Sequence, residues 1–143
     1  MIRPAPGIPI EQQPLPVLRR LLLWGETRGE SNVGKLAVLC VVANRVAKGG
    51  QWKAVILKPK AFSCFNPDDH NREKLLNAHN LEPNSWASVD AVCELWENGA
   101  IVDVTQGADH YYSFNIVTPK WGRGHPDWQE TVVIGNHVFG ICP

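Results

Sequence analysis

The chain has 143 residues, which at the usual roughly 100–200 residues per domain allows one domain. Hydrophobic residues make up 44% and charged residues 20%, close to ordinary globular usage, which excludes a disordered or collagen-like chain. Fourteen Lys and Arg balance fourteen Asp and Glu, so net charge is zero; with no basic run, a nucleic-acid partner is not expected, nor a substrate held by charge alone.

Residues 1–16 carry Pro4, Pro6, Pro9, Pro14 and Pro16. Such density propagates neither a helix nor a central strand, so an extended surface arm is expected there, followed by a folded domain over 17–143. From Val17 the pattern turns helical. Leu18, Leu22, Glu26 and Glu30 recur at every fourth position, Leu21, Gly25 and Gly29 form the adjacent row, and Arg19 and Arg20 lie off the stripe. The apolar face of this helix therefore runs directly into a carboxylate with glycines beside it. Gly29–Gly34 breaks the run, and Ser31 or Asn32 is placed to cap the next helix by accepting a free backbone N–H.

Val33–Ala47 is apolar almost all round, which marks a buried central helix, and it ends at Lys48-Gly49-Gly50. A connection from Pro59 to Pro67 contains Phe62-Ser63-Cys64-Phe65-Asn66. Asp68–Asn80 is a polar helix candidate. Ser85–Asn98 carries a stronger signal, with Ser85 as cap, Trp86, Val89, Cys93 and Trp96 on one face, and Asn98-Gly99 as stop. Asp103–Trp121 reads as a long shaped loop, and residues 131–141 read as a β-hairpin turning at Gly135-Asn136. Four helices and one small hairpin make a mostly helical α+β domain.

No stretch approaches the about 20 apolar residues of a membrane-spanning helix, and no membrane partner is expected. Prolines interrupt the region where a secretory signal would need a continuous apolar run, so synthesis in a cytoplasm is expected. Cys40, Cys64, Cys93 and Cys142 lie far apart with no C-x-x-C, which supports neither a zinc knuckle nor a disulfide framework. His110, His125 and His137 lack zinc-ligand spacing, so no metal and no cofactor is expected.

Glu26 is the residue on which chemistry would rest. A Glu in the apolar row of a helix is either held by a cation, Arg28, Arg45 or another, or kept there for its acidity. Desolvation disfavours the charged form and raises the pKa. An acid still protonated near neutral pH is what glycosidic-bond cleavage requires as its general acid. Glu30 projects beside Glu26 from the same face, whereas a two-carboxylate glycosidase places its pair on opposite sides of the scissile bond. Glu30 therefore reads as structural, and Asp103 and Asp109 are the candidates for any second carboxylate. Tyr111, Tyr112, Phe114 and Trp121 lie among His110, Asn115 and Lys120. Aromatic platforms with amide and imidazole donors match the apolar faces and hydroxyl rim of a neutral sugar.

Two other readings compete. Cys64, with His110 and Asn115 downstream, follows the order of a Cys-His-Asn endopeptidase; its flanking Phe62 and Phe65 favour a small buried hydrophobe instead. A non-catalytic binding protein would use the same aromatic loop without an acid.

Four segments together, GETRGESNVGKLAVLCVVANRV (25–46), AFSCFN (61–66), DVTQGADHYYSFNIVTPKW (103–121) and IGNHVF (134–139), resemble the SleB-type cell wall hydrolase family. This is the catalytic domain of spore cortex-lytic enzymes, also found in bacteriophage lysis proteins, and the likeness spans roughly residues 17–140 in the same order. Thr27 stands where the family favours Ala, Gly140 follows the final Phe where an aromatic is usual, and the Pro-rich arm has no clear counterpart. The resemblance implies a lysozyme-like fold, similar to lytic transglycosylases, with Glu26 as the catalytic acid. It implies cleavage of the β-1,4 bond between N-acetylmuramic acid and N-acetylglucosamine in peptidoglycan, giving a 1,6-anhydro sugar, or a hydrolytic muramidase on the same bond. It puts Ser63, His110, Tyr111, Asn115 and Trp121 around a substrate groove. A monomeric phage endolysin, made in the host cytoplasm and acting on periplasmic peptidoglycan, is the expected setting.

Overall fold

Pro16 falls in the first turn of the first helix, where its fixed φ suits the helix and its missing N–H costs nothing. Helix α1 accordingly spans Leu15–Thr27, starting two residues before the first apolar repeat. The computed structural model describes residues 1–99 and 102–142. Beyond α1, these form helices α2 (Asn32–Ala47), α3 (Trp52–Leu57), α4 (Arg72–Leu75), α5 (Ala78–Leu81) and α6 (Pro83–Glu97). Strands β1 (His110–Ser113), β2 (Gln129–Ile134) and β3 (His137–Ile141) make one antiparallel sheet in the order β1-β3-β2. The expected mostly helical α+β class is what the chain adopts.

Helix α2 holds the two layers together. Ser31 caps it as expected, its hydroxyl accepting the Gly34 N–H at 3.1 Å. Ala37, Val38, Leu39, Cys40, Val41 and Val42 are all buried, so the helix meets protein on every side. Val38, Leu39 and Val42 join Leu18, Leu21, Leu22, Ile56, Leu75, Trp86 and Val89 in the main core. Ala37 and Val41, one turn apart, face the sheet and pack with Ala108 and Phe139 in a second, smaller core.

Within the arm expected over 1–16, Ile10–Gln12 form a 3-10 turn with Ile10 in the main core, and Leu15 and Pro16 already belong to α1; the segment before them is tied down. The Gln13 side chain, fully buried, accepts the Ala5 N–H at 2.8 Å and donates to the Ala5 and Ile8 carbonyls. Trp86 Nε1 donates to the Ile2 carbonyl at 3.0 Å, which fastens the arm to α6. Arg20, which the periodicity left off the apolar stripe, is 1% exposed and paired with Asp90 (2.7 Å) and Glu97 (3.0 Å). Helix α1 is thus tied to α6 by an ion-pair network as well as by apolar packing.

Four local expectations are corrected. The polar segment 68–80 is not one helix. Asp69 Oδ1 accepts the Asn71 N–H at 2.8 Å, a local bond that competes with helix propagation, and only the single turns α4 and α5 form. Helix α6 starts at Pro83 rather than after Ser85, since proline at the first position pre-sets the backbone there. Trp96 is half-buried at the core's edge, where Arg19 lies over its ring and that of Trp52. The segment read as a loop through 103–121 contains β1, whose partner is β3, with Tyr111 opposite Phe139 and Ser113 opposite His137. Four residues are too few to show a strand period, so the pairing strand supplies what the sequence pattern lacks. The β2–β3 hairpin turns at Gly135-Asn136 as expected, with Gly135 at φ +57°.

Gly140, the departure noted in the final block, has a structural reason. A Cβ there would run into the Trp128 indole, so the ring of another residue covers β3 at this point.

Candidate active site

Glu26 lies in the last turn of α1, at the end of a row of leucines that bury the helix. Beside it Gly25 admits the 3-10 turn Ser63–Phe65 against the helix: a Cβ on residue 25 would stand 2.5 Å from Cys64 Sγ and 2.6 Å from its Cβ. That close approach brings the Cys64 N–H to Glu26 Oε1, which accepts it at 3.3 Å. Burial raises the Glu26 pKa above the ordinary carboxylate value, against the smaller opposing effect of the Cys64 N–H. Its place near the negative end of the α1 dipole acts in the raising direction as well.

The competing salt-bridge reading fails for both named arginines. Arg28 pairs with Glu82 at 3.3 Å and covers the Trp24 ring at 4.1 Å, while Arg45 Nε donates to the Asp109 carbonyl at 2.6 Å. Among the described residues no cation pairs with Glu26.

Glu26 opens onto a cleft of about 950 Å³ between the helices and the sheet. Ser63, His110, Tyr111 and Trp121 line the same cleft, together with Tyr112, Val117 and Pro119. Tyr111 stacks on Phe139 (centroids 5.5 Å) and meets His137 edge-on at 5.1 Å. Its phenol is held protonated by burial and, secondarily, by the Glu26 charge. Trp121 packs edge-on against His110 at 5.0 Å and Tyr112 at 5.6 Å, so this wall is built from rings locked by one another. Asn115 is placed elsewhere: its Nδ2 donates to Asn136 Oδ1 at 3.1 Å on the exposed side of the hairpin, and it does not line the cleft.

The remaining carboxylates serve other ends. Glu30 faces the buried His137 (3.9 Å) and the Gly135 turn, where a Cβ would meet Glu30 Oε2 at 2.9 Å; it braces the hairpin rather than the cleft. Asp103 Oδ1 accepts the Thr105 N–H (2.8 Å) and hydroxyl (2.6 Å), and its Oδ2 accepts the Asn44 amide and the Gly107 N–H, both at 2.9 Å. Asp109 accepts the Cys142 N–H at 2.8 Å and pairs with Lys48 and His110. These bonds outweigh desolvation and hold both aspartates below the ordinary value. Neither lines the cleft, so Glu26 is its one carboxylate among the described residues.

The Cys64-His110-Asn115 arrangement is not assembled. Cys64 has no exposed surface, and burial with the adjacent Glu26 charge pushes its thiol far above the ordinary value, the reverse of a nucleophilic cysteine. His110 is engaged by Asp109 and Asn115 by Asn136.

The zero net charge of the chain does not extend to the cleft, which is cationic. Arg45, Lys48, Lys58 and Lys60 all contribute to its lining. Zero net charge is a sum over the whole surface and does not fix the sign of one groove. Reading the sequence by periodicity missed Lys58 and Lys60; the signal available was their position in Lys-Pro-Lys directly before the AFSCFN block.

The site is thus a cleft in a mostly helical domain, holding one desolvated acid and walled by aromatics and cations. The chain belongs to the Cell Wall Hydrolase family, whose profile matches residues 29–140, beginning just after Glu26. It is similar to the spore cortex-lytic enzymes of Bacillus cereus (27% identical over 127 residues, 82% of this chain and 40% of that protein). The Bacillus subtilis enzyme is 26% identical over 127 residues, 82% of this chain and 34% of its own length. The chain thus spans about 40% or less of the curated relatives named here. Among solved structures, the catalytic domain of the germination-specific lytic transglycosylase SleB from Bacillus anthracis superposes with TM-score 0.67 at 25% identity, covering 97% of this chain and 99% of that one. The Bacillus cereus SleB catalytic domain gives 0.59 at 24% identity over 90% of this chain and 89% of that one. The fold is therefore that of the SleB catalytic domains, lysozyme-like in architecture.

Proposed function

We propose that this chain cleaves the β-1,4 bond between N-acetylmuramic acid and N-acetylglucosamine in peptidoglycan as a lytic transglycosylase, with Glu26 as its single catalytic carboxyl group. The observation that carries this reading is the solitary, desolvated Glu26 in a cleft of glycan dimensions. The similarity to a solved lytic transglycosylase domain over nearly its whole length supports it.

In this mechanism the protonated Glu26 donates to the glycosidic oxygen as positive charge develops on the muramic acid ring. The C–O bond breaks, and the resulting carboxylate removes the proton from the sugar's own 6-hydroxyl as that oxygen bonds to the anomeric carbon. One carboxyl group serves both steps and the substrate supplies the nucleophile. A two-carboxylate hydrolysis would need a partner roughly 5–9.5 Å away across the scissile bond, and neither Asp103 nor Asp109 lines the cleft. Tyr111 and Trp121 offer aromatic surface to sugar C–H groups, and Ser63 and His110 offer polar contacts in the same cleft. Asn115 acts only indirectly, through the hairpin.

Mass analysis of digested sacculi tests the reaction. 1,6-Anhydromuramic ends are expected; reducing muramic ends throughout would replace the transglycosylase by a hydrolytic muramidase, and binding without release would leave a wall-binding protein. The setting we propose is phage lysis, with the chain acting as an endolysin made in the host cytoplasm and working as a monomer on periplasmic peptidoglycan. No helix among the described residues is long and apolar enough to cross a membrane. Cytoplasmic expression is accordingly expected to lyse bacteria only after the inner membrane is opened by a second agent; lysis without one would remove the endolysin reading.

A further inference from the structure

The cations of the cleft are not equivalent. Lys48 is neutralised by Asp109, and the Arg45 guanidinium donates to a carbonyl and lies 5.4 Å from the Phe62 ring. Lys58 and Lys60 are exposed and, among the described residues, have no carboxylate within ion-pair distance. They follow α3, whose end is fixed by Pro59, and stand on a tight turn in which the Ala61 N–H donates to the Lys58 carbonyl at 3.0 Å.

Lys60 takes φ +66°, a left-handed conformation that is strained for a non-glycine residue. Its N–H is met by Asn66 Oδ1 at 3.3 Å, so the turn is supported in that shape. A glycine would relieve the backbone; a long cation stands there instead.

The ridge separates two hollows. Lys58, Pro59 and Lys60 line the cleft of Glu26 on one side and a second cavity of about 650 Å³ on the other. Leu57 and Phe65 line that second cavity, together with two carboxylates: Glu11, already paired with Arg72, and Asp68. A sugar chain alone has no use for two free cations beside its cleft. Peptidoglycan has one, because muramic acid carries a peptide with free carboxylates on its lactyl arm.

We propose that Lys58 and Lys60 form a recognition ridge for stem-peptide carboxylates, the peptide passing from the glycan in the Glu26 cleft over the ridge into the second cavity. The chain is then selective for peptide-bearing glycan over bare strands. This inference rests on the glycan-cleaving reading above.

The test compares kcat/KM of the full chain on three preparations of the same sacculi: untreated, stripped of stem peptides by an amidase, and with peptide carboxylates blocked as neutral amides. Two exposed ion pairs predict about a three- to tenfold preference for the untreated strands at low salt, fading as salt rises. The amide-blocked strands are expected to lose the preference although the peptide remains. Lys58→Gln with Lys60→Gln is expected to bring the untreated-to-stripped ratio to about one, and Glu at both positions to push it below one, with circular dichroism verifying the fold of each. Equal rates on untreated and stripped strands, or an unchanged ratio in both double variants, would overturn the ridge. Cleavage of none of the preparations would instead overturn the glycan-cleaving reading beneath it.

Discussion

The helical layer and the sheet layer treat their acids in opposite ways. In the helical layer Glu26 is set against apolar surface at a helix end with one N–H for company, and its pKa is raised. In the layer built on the sheet, the exposed Asp103 and the buried Asp109 are wrapped in donors, and theirs are lowered against the opposing effect of desolvation. A carboxyl group left short of partners destabilises the fold in its charged form and is available for proton transfer; one saturated with hydrogen bonds holds a loop together and is not. The reason is available packing material. The main core supplies a continuous apolar mass, whereas the second core has, among the described residues, four buried members and depends on polar ties.

The sharpest way to break this contrast is Glu26→Gln. Lysis is expected to fall by at least the 10²- to 10⁴-fold that a general acid contributes. Gln still accepts the Cys64 N–H and carries no charge to desolvate, so thermal stability is expected to hold or rise. The folded pKa of Glu26 lies above its ordinary 4.5, so its contribution to stability is lost as pH rises through 4.5 towards the folded value. The stability gain of the Gln variant should therefore be present near neutral pH and vanish in acid, as melting curves across pH will read. In the native chain, activity falls on the alkaline side of the same raised pKa.

Gly25→Ala comes next, because it touches the support of the acid without touching the acid. Its methyl group must displace Cys64, at an overpacking cost of about 1–3 kcal/mol. Turnover on sacculi is expected to drop by more than the loss of melting temperature explains, since the N–H that holds Glu26 moves away. Loss of stability with normal turnover of the folded fraction would show that the turn does not position the carboxyl group.

The sheet layer is probed by Asp109→Ala, which removes the acceptor of Cys142, His110 and Lys48 and is expected to cost about 1–3 kcal/mol in denaturant unfolding. Here the pH sign reverses. The folded pKa values of Asp103 and Asp109 lie below their ordinary 3.8, so their stabilisation is complete above that pH and is lost as pH falls through the folded values. The destabilisation of Asp109→Ala should shrink in acid. Smallest of all is the effect expected on activity of Cys64→Ser. The buried hydroxyl costs about 1–3 kcal/mol of stability, but lysis by the folded enzyme persists and no new free amines appear in the digest.

Glu26 was legible in the sequence because an acid interrupting a four-residue leucine row needs an explanation whatever the fold. The buried central helix and the Gly135-Asn136 turn were legible for the same kind of reason: composition over one segment sufficed. The Arg20 network was not, since its partners Asp90 and Glu97 lie about 70 residues away. Nor was β1, which exists only as the partner of β3, nor the withdrawal of Asn115 from the site, which follows from its bond to Asn136.

What the sequence determined by itself is local: which segments bury a face, where glycine and proline end them, and that one carboxyl group stands in an apolar row. What the tertiary structure decided is who surrounds that group. Burial, missing counter-charge and the crossing of the Ser63–Phe65 turn at Gly25 come from chain segments dozens of residues apart. The pKa of an acid and the charge of a cleft are sums over neighbours in space, and such sums are not written in any one stretch of the chain.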